Sequence, residues 1–302
     1  MSVEIKIPTI DGLTLNTKNK YVKDDISITV GIPRYNGSAS DDVTPEIDKF
    51  LQGEITKLYN DRVTKIIANR CEMDVRLISI YLPNVTDIGS EAFKDCSKLT
   101  SINLQNVKKI NSSAFANCIG LTEVDLPSLE TFSTTVFTGC SNLKSLNVPN
   151  CTDFGNSTIV GTAIETISLP ILENLRTRPF NGANSNGVKC YLKTIYIPKA
   201  KISSSNVFYR ASSLTTIIIT QTEQVLTLPD AVTTGSFKYA YHYLGEVDAT
   251  NNPDGLKDGY IYVDESMVDA YKSATNWSVL ADQIKPLSEI PQEIKEELGL
   301  WV

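Results

Sequence analysis

Val85–Pro127 reads VTDIGSEAFKDCSKLTSINLQNVKKINSSAFANCIGLTEVDLP, and it is two copies of one pattern. Shifted by 22 residues, Val85 falls on Val107, Ile88 on Ile110, Ala92 and Phe93 on Ala114 and Phe115, Cys96 on Cys118, Leu99 on Leu121, Ile102 on Val124 and Leu104 on Leu126. A fixed period of this length is the signature of a repeat solenoid, in which each coil packs only on its neighbours. Within Leu99–Leu104 the apolar and polar residues alternate, so Ile102 and Leu104 face inward while Ser101 and Asn103 face outward. Successive coils then stack these strands into a parallel sheet. The segment that carries Ala-Phe and the cysteine is too short for more than a turn or two of helix and belongs on the opposite side. One coil alone has too little core to offset its chain entropy, so the array folds only as a stack.

The pattern extends in both directions. An imperfect coil, Val63–Pro83, precedes the two clean ones, with Cys71 and the strand Leu77–Leu82 in place but no Ala-Phe step. After them, Leu129, Phe132, Val136, Phe137, Cys140, Leu143, Leu146 and Val148 keep the register. A fourth coil, with Phe154, Ile159, Ile164 and Ile167, is one residue short. A fifth, with Leu175, Phe180, Leu192 and Ile195, carries a turn-forming insertion at Asn184–Gly187. A sixth, with Ile202, Val207, Phe208, Leu214 and Ile217, returns to the period. The register then dissolves until a last strand, Tyr260–Val263, and two short helices that close the array.

Outside the array, residues 1–35 alternate apolar and polar (Val3, Ile5, Ile7; Tyr21, Val22, Ile26, Ile28, Val30) and read as a small β module. Residues 36–62 read as a linker, Asn36–Asp42, followed by a capping helix. Thr44 is its cap, Pro45 its first residue, and Ile47, Phe50, Leu51, Ile55, Leu58 and Tyr59 its apolar face. Residues 63–287 form the solenoid with its C-terminal cap. There, Ser266 and Asp269 are spaced as a capping box, and Trp277 and Leu280 close the apolar face of the last coil. Residues 288–302 are an acidic, amphipathic tail ending Gly299-Leu300-Trp301-Val302, which folds back onto the body or docks on a partner subunit, because an exposed apolar end is costly.

With 41% apolar residues, 21% charged and a formal charge of -7, the chain supports a full core and disfavours nucleic acid and anionic membranes, whose partners concentrate Lys and Arg. No apolar run reaches membrane-spanning length, and MSVEIKIPTIDG lacks the charged and apolar regions of a secretory signal, so signal-dependent export is not expected.

The consensus carried by Val85, Ile88, Gly89, Ala92, Phe93, Cys96, Leu99, Ile102 and Leu104, and again from Val107 to Pro127, resembles the BspA-type leucine-rich repeat family over residues ~63–287. That resemblance implies a right-handed leucine-rich-repeat coil with a parallel β-sheet face and short helical turns. It also implies kinship with bacterial surface proteins that bind host proteins or other cells, and supplies no catalytic residues. A weaker resemblance, carried by Asn16–Val30, is to short β segments of phage tail and virion proteins; it implies assembly on a virion released by lysis.

Little chemistry is written in the side chains. Cys96, Cys118 and Cys140 recur at one period and stack as free buried thiols rather than disulfides. Six cysteines without a C-x-x-C pair, and a single histidine, argue against zinc. That histidine, His242, sits among Tyr239, Tyr241 and Tyr243 and reads as a packed or loop residue. The oxygen-rich stretch Asp248–Gly259 lacks the bidentate glutamate of a calcium loop and reads as a turn. We expect no cofactor and no metal.

The candidate binding surface is the outward side of the stacked strands. One column is Ser79, Ser101, Glu123, Ser145, Thr166, Thr194 and Thr216; the other is Tyr81, Asn103, Asp125, Asn147, Ser168, Tyr196 and Ile218. Hydroxyls, amides and carboxylates with tyrosine anchors suit a protein or glycan ligand on a cell surface. The expected function is non-enzymatic recognition or adhesion outside the cell. The alternative is a structural virion protein, assembled or oligomerised through residues 1–35 or 288–302.

Overall fold

The structure is a computed structural model that describes residues 63–69, 71–180, 191–231, 236–238, 240–244 and 257–300, together with the strands Thr14–Asn16, Lys20–Lys23, Ile26–Thr29 and Lys57–Tyr59. Alternation in the N-terminal segment produces three antiparallel strands, with Leu15 opposite Tyr21 and Tyr21 opposite Ile28. Val3, Ile5, Ile7, the linker Asn36–Asp42, the helix begun at Thr44, the insertion at Asn184–Gly187 and most of the Asp248–Gly259 stretch lie outside the described residues. Leu58 and Tyr59, whose spacing suggested a helix, instead lie in a strand that pairs in parallel with Ser79–Tyr81, Leu58 opposite Ile80. Alternation with Lys57 outranks helical spacing once a strand edge is available beside it.

From Lys57 on, each coil contributes one strand to a front sheet. Parallel pairing sets Ser79 beside Ser101, Glu123 beside Ser145, and Thr166 beside Thr194 and Thr216, so identical repeat positions form columns. The front sheet continues through Tyr260–Val263 and Ile284–Pro286. Its hydrogen bonding is interrupted twice, leaving sets of three, two and five strands, with the breaks after Ser101–Asn103 and after Ser145–Asn147. The second break coincides with the coil that is one residue short. A narrower back sheet stacks Lys65–Ile66, Asp87–Ile88, Lys109–Ile110 and Thr131–Phe132.

The turns opposite the sheet alternate two kinds of hydrogen bond. Ala92, Lys94 and Cys96 donate to the carbonyl three residues back, whereas Glu91, Phe93 and Asp95 donate across to Ser112, Ala114 and Ala116 of the next coil at 2.8–2.9 Å. Reaching across requires left-handed backbone twice per coil: φ is 57° at Glu91 and 61° at Asp95, and the pattern recurs at Ser113 and Asn117 and at Thr135 and Gly139. Small polar residues and glycine tolerate that region best, which is why these positions are Ser, Asn, Asp or Gly so often. Gly155 answers a second demand, since a Cβ there would sit 2.0 Å from the Ser133 carbonyl oxygen.

The core is a set of columns. Leu77, Leu99, Leu121, Leu143, Ile164, Leu192 and Leu214 are all buried, one per coil. Phe93, Phe115 and Phe137 stack with centroids 5.2 and 5.6 Å apart. The fourth coil has Ile159 where phenylalanine would stand, and the aromatic column detours through the back strands, Phe137 to Phe132 to Phe154, before rejoining at Phe180 and Phe208. In the sixth coil the inward back-strand position is not Ile202, which is 55% exposed, but Ser203, whose hydroxyl donates to Thr227 O at 2.7 Å. The pairing of Ile202 with Asn174 sets this register, one residue off the apolar pattern.

Phe237, Trp277 and Tyr271 end the aromatic column. Trp277 Nε1 donates to Leu226 O and Tyr271 OH accepts from Leu226 N, so both backbone groups of Leu226 are satisfied by the cap. Ser266 is not the helix cap read from its spacing. The carboxylate of Asp264 takes that role, accepting from Ser266 N at 2.9 Å.

Candidate binding face

Both outward columns form as their two-residue period requires, but only part of the face is open. Ser101, Glu123, Asp125, Ser145 and Asn147 are exposed, and Tyr81, Asn103 and Ser168 are half-buried. Thr194 and Thr216 are buried, and Tyr196 is half-buried, so the C-terminal part of the face is not free. The reason is the tail. After Pro286 the chain turns over the front sheet, and Leu287 and Ile290 bury themselves against Ile218 and Tyr262. Ile294, Leu298 and Leu300 pack on the same patch with Tyr196 and Tyr260. The helix Gln292–Leu298 ends at Gly299 in left-handed conformation, whose N–H and that of Leu300 return to Glu296 O and Lys295 O. Of the two fates open to the tail, folding back is the one adopted by its described residues.

The change in sequence along the second column explains where the tail stops. Tyr196, Ile218 and Tyr262 are in register and offer an apolar strip, whereas Asn103, Asp125 and Asn147 do not. On the open part, Asn147 Nδ2 donates to Asp125 Oδ1 at 2.8 Å, one rung of a polar ladder between coils. Beside it, Glu165 pairs with Lys193 at 2.8 Å. Where the tail helix meets the open face, a groove of about 740 Å³ is lined by Ser145, Asn147, Thr166 and Ser168 on the sheet and by Glu297 and Leu298 on the helix. Hydropathy along the tail pointed to an apolar contact, but nothing in one dimension marked this groove.

Other candidates resolve structurally. Cys71, Cys96, Cys118, Cys140 and Cys151 are free and buried. The Cys96 Sγ lies 2.9 Å from Cys71 O, Cys118 Sγ 3.1 Å from Phe93 O, and Cys140 Sγ 3.0 Å from Phe115 O, so the thiols tie coils together. Burial pushes the Cys96 and Cys151 thiols up to about 12. The hydrogen bond with Cys140, then burial, drives Cys118 well up too. None is poised as a nucleophile. His242 Nδ1 lies 2.6 Å from Asp258 Oδ1, a contact that ties the Tyr241–Leu244 helix to the residues just before the strand Tyr260–Val263. Among the described residues, no group of three His, Cys, Asp or Glu side chains is placed to hold a metal ion, and no helix is long and apolar enough to cross a membrane.

Residues 64–186 match the model of the BspA type leucine rich repeat region in six copies. No curated protein matches the chain. Among solved structures, a leucine rich repeat protein of T. pallidum is similar at 24% identity, covering 50% of this chain and 73% of that one with a TM-score of 0.44. A leucine rich cell surface protein of Faecalibacterium prausnitzii shares 15% identity over 56% of this chain and 82% of its own, TM-score 0.27. The pneumococcal vaccine antigen PcpA shares 19%, over 59% of this chain and 54% of its own, TM-score 0.25. The described coils stack as a solenoid with a parallel sheet face, and over residues 64–186 their sequence is that of the BspA type leucine rich repeat region.

Proposed function

We propose that this protein is a non-enzymatic recognition or adhesion module that works outside the cell and binds a protein or glycan on the open part of its front sheet. The observation that carries this reading is the division of the face: its C-terminal strands are covered by the chain's own tail, while Ser101, Glu123, Asp125, Ser145 and Asn147 are left to solvent, with Glu123 in register with Ser145 and Asp125 with Asn147. Side chains held in columns by a rigid stack present a fixed array of donors and acceptors, and a ligand that meets them loses little to reorganisation. The BspA-type repeats support the same reading, because the family resemblance implies surface recognition.

Binding of the full chain to a glycan array and to immobilised cell-surface proteins, measured alongside a Glu123→Lys/Asp125→Lys variant, tests the reading. A ligand whose binding falls at least about tenfold in the variant, which is about 1.4 kcal/mol, supports it. Binding unaffected by charge reversal at both positions overturns it.

A further inference from the structure

Three features coincide at the groove beside the tail helix. First, it lies on the break in the front sheet: Ser145–Asn147 and Thr166–Ser168 are consecutive front strands, yet they fall in different hydrogen-bonded sets. Every other repeat spacing closes the ladder with bonds such as Lys193 N to Glu165 O, while none joins Glu165 or Thr166 to Lys144 among the described residues, apart from the earlier break after Asn103. Second, the hydroxyls of Ser145, Thr166 and Ser168 face this one space, and none of the three makes a hydrogen bond among the described residues. Third, the tail supplies the wall: without Glu297 and Leu298 the same residues would be a flat sheet surface.

We propose that this groove binds a short uncharged saccharide. The inference rests on the recognition reading above and names the ligand class for one part of the face. A hydroxyl both donates and accepts, so three of them match a ligand made of hydroxyls better than they match a carboxylate or an ammonium group. Leu298, half-buried on the helix side, offers an apolar surface for the C–H side of a sugar ring. Of the charged residues in the lining, Glu165 is already paired with Lys193, and Lys144 and Glu297 are of opposite sign, so the lining does not build a cluster of one charge. The volume of about 740 Å³ falls within the range of small-ligand sites. The tail helix thus has a second role: by packing on Tyr196 and Ile218 it turns a sheet into a concavity.

The test uses the full chain with maltotriose, cellotriose and N,N′-diacetylchitobiose as uncharged probes, and sialyllactose, glucosamine and an extended polar peptide as controls, read by calorimetry and by amide shifts. The expected result is that at least one uncharged probe binds, shifts the amides of Ser145, Thr166 and Ser168, and loses at least about tenfold in affinity in Ser168→Leu, which fills the groove, and in Thr166→Val, which keeps its shape. Thermal melts of both variants establish that they are folded. Binding by none of the uncharged probes, preferential binding of a charged probe or of the peptide, or an affinity unchanged in both variants overturns the proposal. If Ser168→Leu leaves binding to a surface ligand intact while Glu123→Lys/Asp125→Lys removes it, the groove assignment fails and the recognition reading stands.

Discussion

Phe115 shows how the repeat concentrates stability in single residues. It is fully buried between Phe93 and Phe137, so truncation removes two ring contacts and leaves a cavity between rigid coils. Phe115→Ala is expected to cost about 3–5 kcal/mol, read as a lower urea midpoint. The thiol column makes a separate expectation. Cys71, Cys96, Cys118, Cys140 and Cys151 are buried, and the shifts at Cys96, Cys118 and Cys151 all disfavour the thiolate. At about pH 8 a thiol reagent should leave these five unlabelled in the folded protein and label them all in urea, with mass spectrometry assigning the sites. Rapid labelling in the native state would contradict their burial. The buried thiols of Cys96, Cys118 and Cys140 could be read from their 22-residue recurrence in an apolar register. The exposure of Ile202 could not, because strand pairing rather than hydropathy sets that register.

The tail is the element whose placement matters most. Its hold on the sheet comes from Leu287 and Ile290 against Ile218 and Tyr262, an apolar patch separate from the main core. Ile290→Asp puts a charge at a site only 4% exposed and is expected to release residues 288–300 while the coils stay folded. Hydrogen exchange should then show protection lost in Gln292–Leu298 and kept in Ser101–Asn147, with stronger binding of a hydrophobic dye to the uncovered Tyr196, Ile218 and Tyr262. Loss of protection throughout the coils would mean that the tail is part of the core and not a strap on it. The amphipathic composition of residues 288–302 pointed to an apolar contact, on the body or on a partner subunit. Which surface receives it depends on Tyr196, Ile218 and Tyr262, which lie far apart in sequence and meet only through strand register.

At the scale of the molecule, pH dependence should be alkaline. Burial pushes Tyr271 to about 12 and Tyr243 well above its ordinary value, and it pushes Cys96 and Cys151 to about 12. Each of these groups keeps its proton in the folded state to higher pH than in the unfolded chain. Their contribution is therefore fully present below the unfolded values, near 9.0 for thiols and 10.0 for phenols, and is lost as pH rises toward about 12. The urea midpoint should fall steadily across that window, and a flat profile would show that the thiols and phenols titrate alike in both states. Because each coil is stabilised by its neighbours, the loss should appear as one broad transition along the array.

The sequence by itself determined the period, most of the inward columns and the alternation that makes the two outward columns, because each depends on spacing that a strand or a coil imposes locally; it did not show Ser203 in place of Ile202 as the inward residue, or Ile284–Pro286 as the last strand of the front sheet. Gln221–Gly259, where the period dissolves, was legible only as a departure from it. Tertiary structure alone decided which half of the front sheet is free, where its hydrogen bonding breaks, and that the tail builds a groove at the second break. Those outcomes depend on contacts between residues such as Ser168 and Leu298, which are distant in sequence and are brought together by the stacking of coils.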